Sequence, residues 1–119
     1  MSLTLYGISN CDTVKKARTW LESHQHAHTF HDFKKQGLSA DIIALWLKAV
    51  PWEVLVNKKG MTWRNLTDAQ KNAVVDAKSA TALMLENPSV IKRPVLCLPT
   101  AVLVGFTPEL YQQQLKASA

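Results

Sequence analysis

Apolar positions recur every second residue near both ends of the chain and every third or fourth residue between them. Leu3-Thr4-Leu5-Tyr6-Gly7 alternates apolar and polar side chains and reads as a short strand. Ser9 and Asn10 are good helix N-caps, and Val14, Ala17 and Leu21 follow at i, i+3 and i+7, so the spacing predicts a helix from about Cys11 to Ser23. His28-Thr29-Phe30-His31-Asp32-Phe33 has strand character again, completing a strand–helix–strand unit whose crossover should be right-handed.

The middle of the chain changes period. Ser39 precedes Ile42, Ile43, Leu45, Trp46 and Ala49 at helical spacing, and Pro51 stops that helix. Trp52–Val56 reads as a short helix with Lys58-Lys59-Gly60 as its exit. Thr67 caps a further helical stretch that continues through Ala77–Leu85 to Asn87-Pro88. No strand signal and no linker interrupts this part. Beyond Arg93-Pro94, Val95–Leu98 and Ala101–Gly105 are two apolar runs joined by Pro99-Thr100, which suits a β-hairpin. Thr107 and Pro108 then supply the N-cap and first-turn proline of a last helix through about Lys116. The order β-α-β, helices, β-β-α is that of a thioredoxin-like α/β fold with a mixed sheet. It predicts a single domain over residues 1–119 with a helical insertion at about 39–87.

Composition narrows the classes. A chain of 119 residues that is 47% hydrophobic and 19% charged can bury one core and is too apolar for a disordered segment. The formal net charge of +5 favours anionic ligands. The 14 Lys and Arg run no longer than pairs such as Lys15-Lys16 and Lys58-Lys59, so a nucleic-acid footprint is not expected. Nothing at the start resembles a signal peptide and no apolar run is long enough for a membrane span, so a cytoplasmic setting with reduced thiols is the expectation.

Cys11 is the residue best placed for chemistry. It stands where a strand gives way to a helix, and unpaired N–H groups and the macrodipole at a helix N-terminus favour a negative charge by ~0.3–2 kcal/mol. The thiolate is the nucleophile, and an ordinary thiol with a pKa of about 8.5 is mostly protonated at neutral pH. Lys15, Lys16 and Arg18 add positive charge in the first two turns, offset only by Asp12, which makes sense if an anion completes the site. Cys11-Asp12-Thr13-Val14 lacks a second cysteine at its fourth position, so a redox cycle needs an outside thiol such as glutathione. Cys97, inside an apolar run, reads as a buried small hydrophobe. His24, His26, His28 and His31 form a cluster without other donors at ligand spacing except Asp32, and no metal site is expected.

Asn10-Cys11-Asp12-Thr13-Val14-Lys15-Lys16-Ala17 after the first strand, with Ile91-Lys92-Arg93-Pro94-Val95-Leu96 far downstream, resembles the arsenate reductase-like (ArsC) family, which includes the Spx regulators. Gly60-Met61-Thr62-Trp63-Arg64-Asn65-Leu66 and Val104-Gly105-Phe106 look most like its YffB branch. The resemblance implies Cys11 as nucleophile and Arg93 beside it, preceding a cis Pro94, as the holder of an anion. Asn10, Lys15, Pro94, Lys58 and Arg64 are further candidates for substrate or anion binding. It also implies a glutathione-dependent thiol reductase with no tightly bound cofactor, acting on glutathione or small thiol and disulfide substrates, with glutaredoxin as a further partner. Arsenate reductases of the family hold their oxyanion with three arginines. Arg93 matches one, whereas Val56-Asn57-Lys58-Lys59 and Val104-Gly105-Phe106 supply none. Arsenate reductase and an Spx-like regulator binding RNA polymerase are the alternatives, though the regulators sense oxidation through a CxxC pair that is missing here.

Overall fold

The computed structural model describes residues 3–116. Four strands, β1 (Thr4–Gly7), β2 (Thr29–Asp32), β3 (Val95–Cys97) and β4 (Val102–Val104), form one mixed sheet in the order β2-β1-β3-β4. β1 is parallel to β2 and antiparallel to β3, and β3 is antiparallel to β4. A parallel pair cannot be closed by a tight turn. The crossover is α1 (Asp12–Ser23). The hairpin between β3 and β4 is closed by the Leu98 N–H donating to the Ala101 carbonyl at 2.8 Å.

The chain divides into two compact units, one with all four strands, α1 and α7 (Pro108–Lys116), the other spanning Phe33–Lys92. In the first, the pairing register aligns Phe30, Leu5, Leu96 and Leu103 in one row across the sheet. The buried stripe of α1 (Val14, Ala17, Leu21) and Tyr111 and Leu115 of α7 join that row in one core. Each large side chain taken fully out of water contributes roughly 1.5–3 kcal/mol. Alternation explains the row: the residues between, Tyr6, Val95 and Cys97, point to the opposite face.

The second unit is helical, as the period predicted: α2 (Ala40–Leu47), α3 (Trp52–Leu55), α4 (Met61–Arg64), α5 (Asp68–Asn72), α6 (Ala77–Glu86) and a 3-10 turn at Pro88–Val90. α6 packs on α2 and α3, with Ile43, Trp46, Leu55 and Met84 fully buried. Two details differ from expectation. The stretch from Thr67 to Leu85 is two helices, because two capping boxes compete for it. Thr67 pairs reciprocally with Gln70, and Asp76 with Ser79. The unit also holds an isolated antiparallel bridge, Val56 to Ile91, flanked by Asn57 N–H to the Val90 carbonyl (2.8 Å) and Lys92 N–H to the Leu55 carbonyl (2.7 Å).

Candidate active site

The end of β1 and the start of α1 are held unusually close. A Cβ on Gly7 would lie 2.7 Å from Val14 Cγ2, so only glycine lets the strand pass this helix. The turn between them is tied to β2, where the Ser9 N–H donates to Asp32 Oδ2 at 3.2 Å. Asp32, 5% exposed, is the buried polar side chain of this region. It positions the loop that carries Cys11, a role the sequence reading missed. The one available signal was a lone acid closing an otherwise half-apolar strand.

Cys11 itself occupies the N-cap position of α1, with extended backbone (φ −100°, ψ 124°) and its carbonyl accepting from the Lys15 N–H at 3.0 Å. The expectation that Ser9 and Asn10 would cap the helix is thus corrected. Both lie in the preceding turn, exposed, and the helix begins one residue later. The consequence is chemical, because a sulfur sits where a capping oxygen normally sits. The side chain makes no formed cap hydrogen bond. The N–H groups of Val14 and Thr13 nonetheless face it closely enough to favour its charged form.

Burial raises the Cys11 pKa, but it is outweighed by the Val14 N–H, the hydrogen bond and positive charge of the Arg93 guanidinium, and the Thr13 N–H. The net result is a thiol held below the ordinary range for cysteine. Arg93 reaches this position from the other end of the sequence. It is half-buried immediately before β3, and the Arg93–Pro94 peptide bond is cis, as the family resemblance implied. The Pro94 carbonyl accepts from the Gly105 N–H at 2.8 Å, and Gly105 has φ 83°, a left-handed conformation open to glycine. Cys11 is half-buried and packed against the core of its unit.

The structure therefore brings Arg93 to Cys11, with Pro94 next to Arg93 in the chain, exposed Lys15 one helical turn beyond Cys11 and exposed Asn10 just before it. Lys58 and Arg64 belong to the second unit. There Lys58 Nζ lies 5.4 Å from the ring centroids of both Trp52 and Trp63, a cation–π arrangement, and Arg64 ends α4. Arg18 is stacked at 4.4 Å over the Phe30 ring. Three of the four histidines are engaged in ring contacts: His24 stacks on Trp20 at 3.9 Å, His26 on the same indole at 5.8 Å, and His31 tilts against Tyr6 at 5.0 Å. Cys97 is half-buried rather than fully buried, on the face opposite the Leu96 row. Burial and the neighbouring Cys97 together push the Tyr6 phenol up. Both cysteines are free thiols.

Residues 6–114 match the model of the ArsC family. The chain belongs to the ArsC family. An uncharacterized protein of Haemophilus influenzae is 43% identical over 110 residues, covering 92% of this chain and 96% of that one. Among solved structures, YFFB (PA3664) protein superposes with a TM-score of 0.87 at 47% identity, over 93% of this chain and 96% of that one. An arsenate reductase (ArsC) related protein from Brucella melitensis gives 0.76 at 52% identity, over 98% and 96%. Global transcriptional regulators named Spx are more distant relatives, at 23–27% identity over 87% of this chain. The ArsC match and these neighbours give the fold as a thioredoxin-like one. No helix among the described residues is long and apolar enough to cross a membrane.

Proposed function

We propose that this ArsC-family protein is a glutathione-dependent thiol reductase that works through the single sulfur of Cys11. The observation that carries the reading is the Arg93 guanidinium on the sulfur of a cysteine that occupies a helix N-cap. A thiolate favoured in this way attacks one sulfur of a glutathione mixed disulfide. A new bond forms between Cys11 and the glutathione sulfur, the original S–S bond breaks, and the other thiol leaves as a thiolate with the electron pair. A second glutathione thiolate then attacks the glutathione sulfur on Cys11, releasing oxidised glutathione and restoring the Cys11 thiolate. The substrate's mixed disulfide and one reduced glutathione thereby become the free substrate thiol and oxidised glutathione, and no second protein cysteine is required. Arg93 stabilises the sulfur whenever it carries charge, and its planar donor fork suits a carboxylate of the incoming glutathione.

The test is turnover of a glutathione–cysteine mixed disulfide with reduced glutathione, followed through oxidised glutathione. Activity should vanish in Cys11→Ser and survive in Cys97→Ser. A Cys11→Ser protein as active as the native one would refute the reading.

The Spx relatives favour a second reading, a regulator that binds RNA polymerase. Saturable capture of purified polymerase by a protein without disulfide turnover would favour it. Arsenate is the weaker substrate on charge grounds. Arg93 is one guanidinium where the family's reductases use three, and each lost charge-assisted hydrogen bond costs ~1.5–3 kcal/mol. Arsenite formation coupled to glutathione oxidation would reverse that order.

A further inference from the structure

A groove of about 470 Å³ runs along α1, with Lys15, Lys16, Trp20 and His24 on one wall and Phe106 and Pro108 on the other. Its place relative to the sulfur follows from helix geometry. Residues 15, 19 and 23 continue at i+4 spacing from Cys11, so the groove lies on the helical stripe that starts at the nucleophile. At 1.5 Å per residue, Lys15 is about 6 Å along the axis from Cys11, and His24 roughly 14 Å beyond Lys15. That length takes about four residues of extended chain.

Three further features define the occupant. The walls are fixed, because Trp20 and Phe106 both meet the wholly buried Tyr111 ring edge-on, at 5.7 and 4.8 Å. The floor and walls are mostly apolar. The charges are of one sign: two lysines stand at the end nearest the sulfur, and no Asp or Glu lines the groove. A segment that fits must carry carboxylates next to its reacting cysteine and apolar side chains a few residues away. Glutathione supplies the carboxylates but has no apolar side chain to set against Trp20 and Phe106.

We infer that this groove docks the protein part of a glutathionylated protein substrate, an extended segment with acidic residues beside its modified cysteine and apolar residues after them. The inference rests on the thiol reductase reading and adds the substrate class. The reaction is the exchange already written, with the substrate protein's cysteine as the departing thiolate and glutathione as reductant.

Three glutathione mixed disulfides test it: a peptide with Glu beside the cysteine followed by Leu and Phe, its twin with Lys in place of Glu, and cysteine itself. The Glu peptide should exceed its Lys twin by about tenfold in kcat/KM at low salt, the combined effect of two exposed charge pairs, and the ratio should shrink as salt rises. Lys16→Glu should invert the ratio. The same Glu peptide with Ser for Cys, which cannot react, should shift the Trp20 indole N–H in an NMR titration. Equal turnover of both peptides with no indole shift overturns the docking site and leaves the thiol reading standing. Turnover of the cysteine disulfide that falls as far as the Glu peptide's in Lys16→Glu means the groove takes glutathione, and also overturns it. No turnover of any disulfide removes the underlying reading and this inference together.

Discussion

Replacing Gly7 by alanine should destabilise the protein and raise the pKa of a cysteine four residues away. The new Cβ would stand 2.7 Å from Cγ2 and 3.2 Å from Cγ1 of Val14, against an optimum of roughly 3.5–4.0 Å for carbon pairs. Val14 cannot swing aside. It is fully buried, and a β-branched side chain in a helix has essentially one rotamer. Relief therefore requires α1 to move by something near 1 Å. Overpacking of this kind costs ~1–3 kcal/mol. Gly7 has no positive φ, so without the collision alanine would stabilise the protein by ~0.4–1 kcal/mol through the unfolded chain. The sign alone separates the two cases. A net loss of ~1–2 kcal/mol should appear in equilibrium urea unfolding, with a fall of roughly 4–10 °C in Tm. Moving the helix also carries the Val14 N–H away from the sulfur, so the pH midpoint of iodoacetamide labelling at Cys11 should rise. In the double variant with Val14→Ala the two losses should sum to less than their separate values. Native-like or greater stability in Gly7→Ala, with an unchanged labelling profile, would refute the close packing of strand and helix as the reason for glycine.

Other expectations concern the sulfur and the ring behind the groove. Arg93→Ala should move the Cys11 labelling midpoint upward, with Arg93→Lys between it and the native protein, because lysine restores the charge but not the planar fork. Since the folded state holds the Cys11 pKa below that of an ordinary thiol, the unfolded chain binds more protons between the native pKa and the ordinary one. The stabilisation is therefore complete above about pH 9 and is lost as pH falls through the native pKa. The excess unfolding free energy of the native protein over Cys11→Ser should grow with pH across that window, and a flat difference would count against a native thiolate. Tyr111 is wholly buried, its hydroxyl has no hydrogen-bond partner among the described residues, and burial pushes its pKa far up. Tyr111→Phe removes that unpaired group while keeping the ring, so it should match or exceed native stability by up to ~1–2 kcal/mol in urea unfolding. A loss of more than ~1 kcal/mol would mean that the hydroxyl has a partner.

Much of the architecture was legible because period and punctuation agreed. Val14, Ala17 and Leu21 marked α1, Ser39 and Pro51 bracketed α2, and Thr107-Pro108 opened α7, where the Leu110 N–H donates to Thr107 Oγ1 at 3.0 Å. What stayed hidden depends on geometry finer than composition. α4 is four residues long and its N-cap, Gly60, makes no side-chain hydrogen bond, so nothing announced it. The break between α5 and α6 depends on which of two capping residues wins locally. The place of Cys11 between strand and helix was legible. That it is itself the N-cap depends on where the preceding turn closes. Arg93 entered only through the family resemblance, since no spacing rule joins residues 82 positions apart in sequence. The tie from Asp32 to the Ser9 N–H was missed because a strand-end aspartate is ordinarily solvated.

The strand order has a consequence for synthesis. β1 lies between β2, made soon after it, and β3, made only after the whole Phe33–Lys92 segment has emerged. During translation the Cys11 sulfur is thus without its arginine, and one edge of the first strand is left open, until Arg93 and β3 have left the ribosome. The growing polypeptide carries an ordinary, sluggish thiol. Oxidants and stray disulfides meet a poorly reactive group until Arg93 is in place, and a product that stops short of it is chemically quiet.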